Sequence, residues 1–294
     1  MTAKERARLL GRYRVTDGDG FRLSEHDTAD CGGLDRDAAE ALLEKGKGRL
    51  AELQEQLYAS ATWSLLVLLQ AMDAAGKDGT IKHVMSGVNP QGVQVTPYKA
   101  PSPDERAHDF LWRHQRDLPR RGWIGLHNRS CYEEVLVTRV HPEVLDGQHL
   151  PAAAREQAHF WRSRLADIAA WEAYLARQGT AQIKVFLNLG RDEQRARLLA
   201  RLDDPSKTWK FDPNDVIQRA CWPDYMDAYQ AAIRATAAPH APWFVVPADH
   251  KWFSRLIVVW AMVDTLEGLS LSAPKPTGTE LATYAEARAK LMDS

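Results

Sequence analysis

Cysteine is scarce. Cys31, Cys131 and Cys221 stand far apart among 294 residues. An odd, widely spaced set forms neither a disulfide framework nor a cysteine metal site. Long apolar runs are missing too: no stretch approaches the roughly 20 residues of a membrane span, so no membrane partner is expected. Met1-Thr2-Ala3-Lys4-Glu5-Arg6 lacks the apolar core of a secretory leader. The expectation is a cytoplasmic chain in a reducing compartment. Net charge is only −1, so there is no global basic field, and no nucleic-acid partner is expected. Any polyanion must be held by a local basic patch. Neither G-x-S-x-G nor H-E-x-x-H occurs, which removes support for a hydrolase triad or a zinc protease. The ten histidines are scattered, with no spacing that suggests a metal site. No internal repeat or low-complexity segment is seen.

What is present is a globular composition, 45% hydrophobic and 26% charged. The chain is long enough to bury a sizeable core. Its most informative stretch is 65–82. Leu65 to Leu69 is a short apolar run, and Gly76 and Gly79 follow within ten residues, which favours a buried strand over a helix. Thr80-Ile81-Lys82-His83-Val84-Met85 can then start a helix. Strand, small-residue loop, Gly-Lys and helix is the layout of a phosphate-binding loop. Small residues let backbone N–H groups approach phosphate oxygens, the helix N-terminus adds partial positive charge, and Lys77 adds a full one. Ala74, Ala75, Gly76, Lys77, Asp78, Gly79 and Thr80 are the candidate phosphate-binding residues. The match to G-x-x-x-x-G-K-[ST] departs twice: Ala71 holds the first glycine position, and Asp78 replaces the hydroxyl residue that normally ligates Mg²⁺. Asp73, inside the loop, can take the metal instead.

Elsewhere, residues 1–35 are expected as an irregular arm, and 36–60 as a helix weakened by Gly46 and Gly48. Further strands are expected at 93–100, 122–127, 183–187 and 243–246. Helices are expected at 102–119, after Ser130, at 153–178, 191–201, 212–235 and 250–268. Ser130-x-x-Glu133 reads as a capping box. Residues 203–214, with two prolines and two lysines, read as the tip of a mobile element. A linker and short C-terminal helix occupy 271–294. Strands alternating with helices predict an α/β fold, a five-stranded parallel sheet covered on both faces, within a domain over 36–270 and with a helical lid at about 195–235.

Several ordered motifs fall together: Leu-Leu-Gln-Ala-Met-Asp-Ala-Ala-Gly-Lys-Asp-Gly-Thr-Ile-Lys, Val-Asn-Pro-Gln-Gly, Phe-Leu-Trp-Arg, Asn-Arg-Ser-Cys-Tyr-Glu-Glu-Val-Leu, Lys-Thr-Trp-Lys-Phe and Ala-Pro-Trp-Phe-Val-Val-Pro-Ala-Asp. With these, the chain from about 40 to 268 resembles the family 2 polyphosphate kinases. The resemblance implies a thymidylate-kinase-like, three-layer P-loop kinase fold. It implies transfer of phosphate from inorganic polyphosphate to AMP and ADP, reversibly, giving ADP and ATP, with Mg²⁺ as cofactor and Mn²⁺ as an alternative. A homo-oligomer is expected. By the same resemblance, Asp73 helps bind Mg²⁺, Lys77 meets the transferring phosphate, and Arg129 belongs to the second nucleotide-site motif with Asn128. Lys207 and Lys210 match lid lysines that flank a tryptophan, here Trp209, and Arg191 lies where the family often has a basic residue. Asn128 stands where many members have aspartate. That variant marks the subgroup that also accepts nucleoside monophosphates, with Glu133 replacing the lost carboxylate as metal ligand.

Simpler readings compete. Asp73 could only satisfy loop amides, Glu133 could only cap its helix, and Trp209 could only pack. At the level of function, the alternatives are an ATP-dependent nucleoside monophosphate kinase and a non-catalytic protein that binds nucleotide or polyphosphate.

Overall fold

A computed structural model describes residues 1–293. The chain opens with α1 (Ala3–Gly11), β1 (Arg14–Val15), α2 (Arg36–Ser60), β2 (Ser64–Ala71), α3 (Lys77–Val84) and β3 (Val93–Pro97). Next come α4 (Pro103–Arg106), α5 (Trp112–Arg116), β4 (Ile124–Asn128), α6 (Glu133–Val140), α7 (Ala152–Arg155), α8 (Phe160–Arg177) and β5 (Thr180–Asn188). It closes with α9 (Arg191–Leu202), α10 (Asn214–Ala220), α11 (Trp222–Thr236), β6 (Trp243–Pro247), α12 (Lys251–Glu267) and α13 (Gly278–Met292).

One sheet runs in the order β1-β6-β5-β2-β4-β3. The pairs from β6 to β3 are parallel, and β1 joins β6 antiparallel through Arg14–Phe244 and Val15–Trp243. The sheet therefore has six strands and is mixed, which corrects the expectation of five parallel strands. The sixth comes from a segment expected to be irregular. Two residues are too few for an alternating pattern, and pairing with β6 is what makes them a strand.

Side chains of β2 leave alternately by its two faces. Leu65, Val67, Leu69 and Ala71 join a core with α1, α2, α3 and α12, while Leu66 and Leu68 join another with α6, α8 and α11. Helix α12 is apolar nearly all round, because it is wedged between α2 and the sheet. Each of its fully buried residues, such as Leu256, Ile257 and Met262, contributes about 1.5–3 kcal/mol. Gly46 lets α2 approach it. A Cβ there would stand 2.8 Å from Val259 Cγ1, so this glycine serves the helix crossing.

Three long helices expected from the sequence are broken, the span 212–235 dividing at Cys221 into α10 and α11, where Pro223 lacks the N–H that an unbroken helix would use. Asp109 Oδ1 accepts the Leu111 N–H (2.9 Å), which interrupts 102–119 between α4 and α5. The span 153–178 is divided between α7 and α8, and no side-chain cap at His159 accounts for the break. Within the expected lid, α11 packs into the second core through Ala232 and Ile233, while 203–213 and α10 stand further out. No helix among the described residues is long and apolar enough to cross a membrane.

Candidate active site

The site forms at the carboxyl edge of the neighbouring parallel strands β2 and β4. The loop after β2 makes its turn with Ala74 at φ 63° and Gly76 at φ 101°. Gly76 bears this without a Cβ penalty, whereas Ala74 pays about 1–2 kcal/mol. Gly76 caps α3, so Lys77, Asp78 and Gly79 form that helix's first turn. Ala71 is the last residue of β2, paired with Leu187, and no left-handed backbone is needed there. The departure from glycine is therefore accommodated within the strand.

Lys77 folds back over the loop and donates from Nζ to the Ala71 carbonyl at 2.8 Å. Its ammonium is lowered to about 8 by burial first and Arg129 second, against the opposing pull of Asp73, Glu133 and Asp78. The charge is thus held in a site that disfavours it and that a nearby anion would relieve.

Arg129 follows β4 with φ 66°, a second left-handed residue without a glycine's freedom. Its backbone N–H reaches the Leu69 carbonyl at 3.0 Å. Its guanidinium bridges two carboxylates, Asp73 Oδ1 at 2.9 Å and Glu133 Oε2 at 3.1 Å. The field of Glu133 in particular raises the Arg129 pKa further. The expected capping box does not form. Ser130 Oγ instead meets Gln70 (2.9 Å) and the Tyr132 N–H (3.3 Å), and Tyr132 is the uncapped start of α6. Glu133 is thereby free to face the site. With its amide oriented to suit its neighbours, buried Gln70 donates to Glu133 Oε1 at 2.7 Å.

The two departures at Asp78 and Asn128 meet each other. Asn128 Nδ2 donates to Asp78 Oδ1 at 2.6 Å, tying the end of β4 to the first turn of α3. Under this turn, Tyr132 donates to buried Glu172 (2.8 Å), which also pairs with Lys184 (2.6 Å). Burial pushes Glu172 up and Lys184 down, and their attraction opposes both shifts.

Tyr225 and Tyr229 of α11 and Gln218 of α10 close over Asp73, Arg129 and Glu133, leaving a cavity of about 30 Å³. That is room for little more than water, far less than the volume of a small-molecule pocket. Burial comes first in raising the tyrosine hydroxyls, with Glu133 adding to it. Asp215 of α10 pairs with Arg201 (3.2 Å) and is raised to about 6 by burial and then by Asp73.

Asp73, Lys77, Asn128, Arg129 and Glu133 are thus brought together. Lys207 and Lys210 are not: both are exposed, Lys207 pairs with Asp204, and Lys210 lies 5.0 Å from the Trp209 ring centroid. No hydrogen bond or ion pair among the described residues joins either lysine to the loop. Trp209 is 78% exposed, so packing does not account for it. Arg191 starts α9, exposed. Gln70, Gln194, Arg197, Gln218, Tyr225 and Tyr229 were not among the sequence candidates. Gln70 alone carried a signal, a lone amide in an otherwise apolar strand.

No cluster of three or more His, Cys, Asp or Glu able to hold a metal occurs among the described residues. Asp73 and Glu133 do face one cation, the Arg129 guanidinium. Two hard oxygen donors suit Mg²⁺, which commonly takes one or two carboxylates and completes its shell with water and substrate phosphates.

The family model for Polyphosphate kinase 2 matches residues 33–273. An ADP-polyphosphate phosphotransferase of Rhodopseudomonas palustris is 44% identical over 96% of this chain and 98% of its own. An AMP/ADP-polyphosphate phosphotransferase of Meiothermus ruber is 42% identical over 91% of this chain and 96% of its own. The crystal structure of a polyphosphate kinase 2 from Arthrobacter aurescens superposes with a TM-score of 0.85 at 43% identity, covering 95% of each chain.

Proposed function

The chain belongs to the polyphosphate kinase 2 family, and from that premise we propose that it transfers the terminal phosphoryl group of inorganic polyphosphate to ADP and AMP, giving ATP and ADP, reversibly and with Mg²⁺. The fold on this reading is a P-loop kinase fold of the thymidylate-kinase kind. The observation that carries the reaction is the Arg129 guanidinium, held between Asp73 and Glu133 beside the loop lysine.

The transfer breaks the P–O bond to the terminal phosphorus and forms one to an oxygen of the acceptor's last phosphate. The shortened polyphosphate leaves as an oxyanion. A nucleotide's terminal phosphate has its second pKa near 6, so at neutral pH the attacking oxygen already lacks its proton. No general base is needed, and none is required of this site. What remains is positioning and charge. The N–H groups of 74–80 and Lys77 take the donor phosphates, Arg129 takes charge on the transferring group, and Asn128, Arg129 and Glu133 form the acceptor side. Asp73 and Glu133 would hold Mg²⁺, which supplies charge neutralisation on phosphate oxygens. The closing helices exclude water, which would otherwise compete as acceptor.

The test is product analysis with Mg²⁺ and polyphosphate and each of AMP and ADP, beside ATP plus AMP without polyphosphate. ADP from AMP and ATP from ADP, each requiring polyphosphate, are expected. Turnover only with ATP as donor would make this a nucleoside monophosphate kinase. Binding without turnover would leave a phosphate-loop binding protein.

A further inference from the structure

Helix α9 grips the phosphate loop from behind. Gln194 Nε2 donates to the Asp73 carbonyl at 3.0 Å. Arg197 Nη1 donates to the Ala74 and Ala75 carbonyls at 3.3 and 3.0 Å. Three consecutive carbonyls of the loop therefore turn toward one helix. Arg197 Nη2 donates to the Ala248 and Asp249 carbonyls at 2.7 and 2.9 Å, and its Nε to Glu193 Oε1 at 2.7 Å. Every N–H of this guanidinium is used. Both side chains are buried, and Arg197 has no donor left for a substrate. Its work is on the backbone.

The loop needs that work. Ala74 sits at φ 63°, a conformation an alanine keeps only where its surroundings over-determine it. A trans peptide points its C=O and N–H in opposite directions. Holding the Ala75 carbonyl toward α9 therefore sends the Gly76 N–H to the other side of the loop.

We infer that Arg197, seconded by Gln194, is a positioning residue that holds the phosphate loop in its binding shape through the strained backbone of Ala74. Because α9 leads directly into the 203–213 excursion, loop shape and the root of that excursion form one mechanical unit. The inference rests on the loop being the donor-phosphate site. A lysine cannot replace this arginine, since one ammonium cannot span two pairs of carbonyls.

The test compares Arg197→Lys, Ala74→Gly and the double variant. The readouts are kcat/KM for polyphosphate with ADP and amide hydrogen exchange in the substrate-free protein. Arg197→Lys should lower kcat/KM by about tenfold or more, the scale of a small misplacement at a reacting centre. It should speed exchange at residues 73–77 while leaving β2 and β5 as they are. Ala74→Gly removes the left-handed penalty, so its effect should be at least about fivefold more favourable in the Arg197→Lys background than alone, a coupling of the size seen for residues in contact. Equal effects in both backgrounds overturn the inference, as does unchanged exchange in the loop. A rise spread over the whole sheet overturns it too, since Arg197 would then brace the fold at large. If Arg197→Lys does not fold, Gln194→Leu puts the same question, with a several-fold fall and the same coupling expected. The exchange readout needs no turnover. A wild type that ignores polyphosphate would sink the proposed reaction, while the loop measurement would still decide the role of Arg197.

Discussion

Replacing Asn128 by aspartate tests the electrostatics of the site at its most exposed joint. The amide donates to Asp78 Oδ1 at 2.6 Å, so the substitution sets two carboxylates against each other in place of a hydrogen bond. At that distance two unit charges repel by about 1.6 kcal/mol in bulk water and about 6 kcal/mol at an effective dielectric of 20. Asp78 is exposed and Asn128 half-buried, so the side chains can swing apart toward solvent. With the lost hydrogen bond, about 1–3 kcal/mol of destabilisation remains. For a chain of this size that is a melting temperature lower by roughly 2–5 °C.

The deficit must depend on pH. Crowding raises the titration of one carboxyl in the folded variant above its unfolded value near 3.9. Through that window the folded variant binds more protons than the unfolded chain, so its stability falls as pH rises. The deficit should be small near pH 4–5 and complete by pH 8. Thermal melts of wild type and Asn128→Asp in EDTA at both pH values give the comparison. Adding Mg²⁺ at pH 8 should then return more stability to the variant than to the wild type, because a carboxylate pair is a better magnesium site than a carboxylate and an amide. The same deficit at both pH values, or none at either, would refute the reasoning.

Other perturbations separate the parts of the site. Lys77→Ala should lower kcat by at least roughly a hundredfold, as for removal of one preorganised stabilising group, and near-normal turnover would remove the loop from the reaction. Because the Lys77 ammonium titrates at about 8, kcat/KM of the wild type should fall with a one-proton slope above that pH. Lys77→Arg, slower overall, should lose that limb, and its persistence would assign the limb to another group. Replacing Lys207 and Lys210 together with alanine should leave the melting temperature nearly unchanged while weakening use of polyphosphate and its salt dependence. A marked loss of thermal stability would make those lysines structural. Glu133→Gln should impair the AMP step more than the ADP step, and an unchanged ratio of the two kcat/KM values would take Glu133 out of the acceptor site.

Much of the fold could be read from local pattern. Leu65–Leu69 and the apolar run of α12 are continuous because both lie deep in the cores, and burial writes itself into sequence as unbroken hydrophobicity. β1 could not be read, since its two residues owe their strand to Trp243 and Phe244 at the far end of the chain. Ser130-x-x-Glu133 looked like a cap because capping is local. The competing bonds, Gln70 to Ser130 and Arg129 to Glu133, include one from another strand. Arg197 was hidden among Arg191, Arg195 and Arg201 on the same helix. Only the packing of α9 against the loop distinguishes it from exposed Arg191 and Arg195 and from Arg201, which pairs with Asp215.

The same geometry explains how a site without a three-ligand metal cluster can still favour metal-bound phosphate. Arg129 is neutralised twice over, by Asp73 and by Glu133, on a backbone held in an unfavourable conformation. The two N–H groups that it gives to them can turn to a phosphoryl group only if a carboxylate is given up, while its other three N–H groups serve no carboxylate. Those carboxylates cannot be left stranded beside the Tyr225 and Tyr229 wall without cost, since uncompensated charge in a closed site is expensive. On the proposed reaction, a divalent cation arriving with the phosphates would give the carboxylates a new partner as the guanidinium turns to the phosphate. On that reading, a magnesium-loaded polyanion would let carboxylates and guanidinium exchange partners together, which neither the cation nor the phosphate would do by itself.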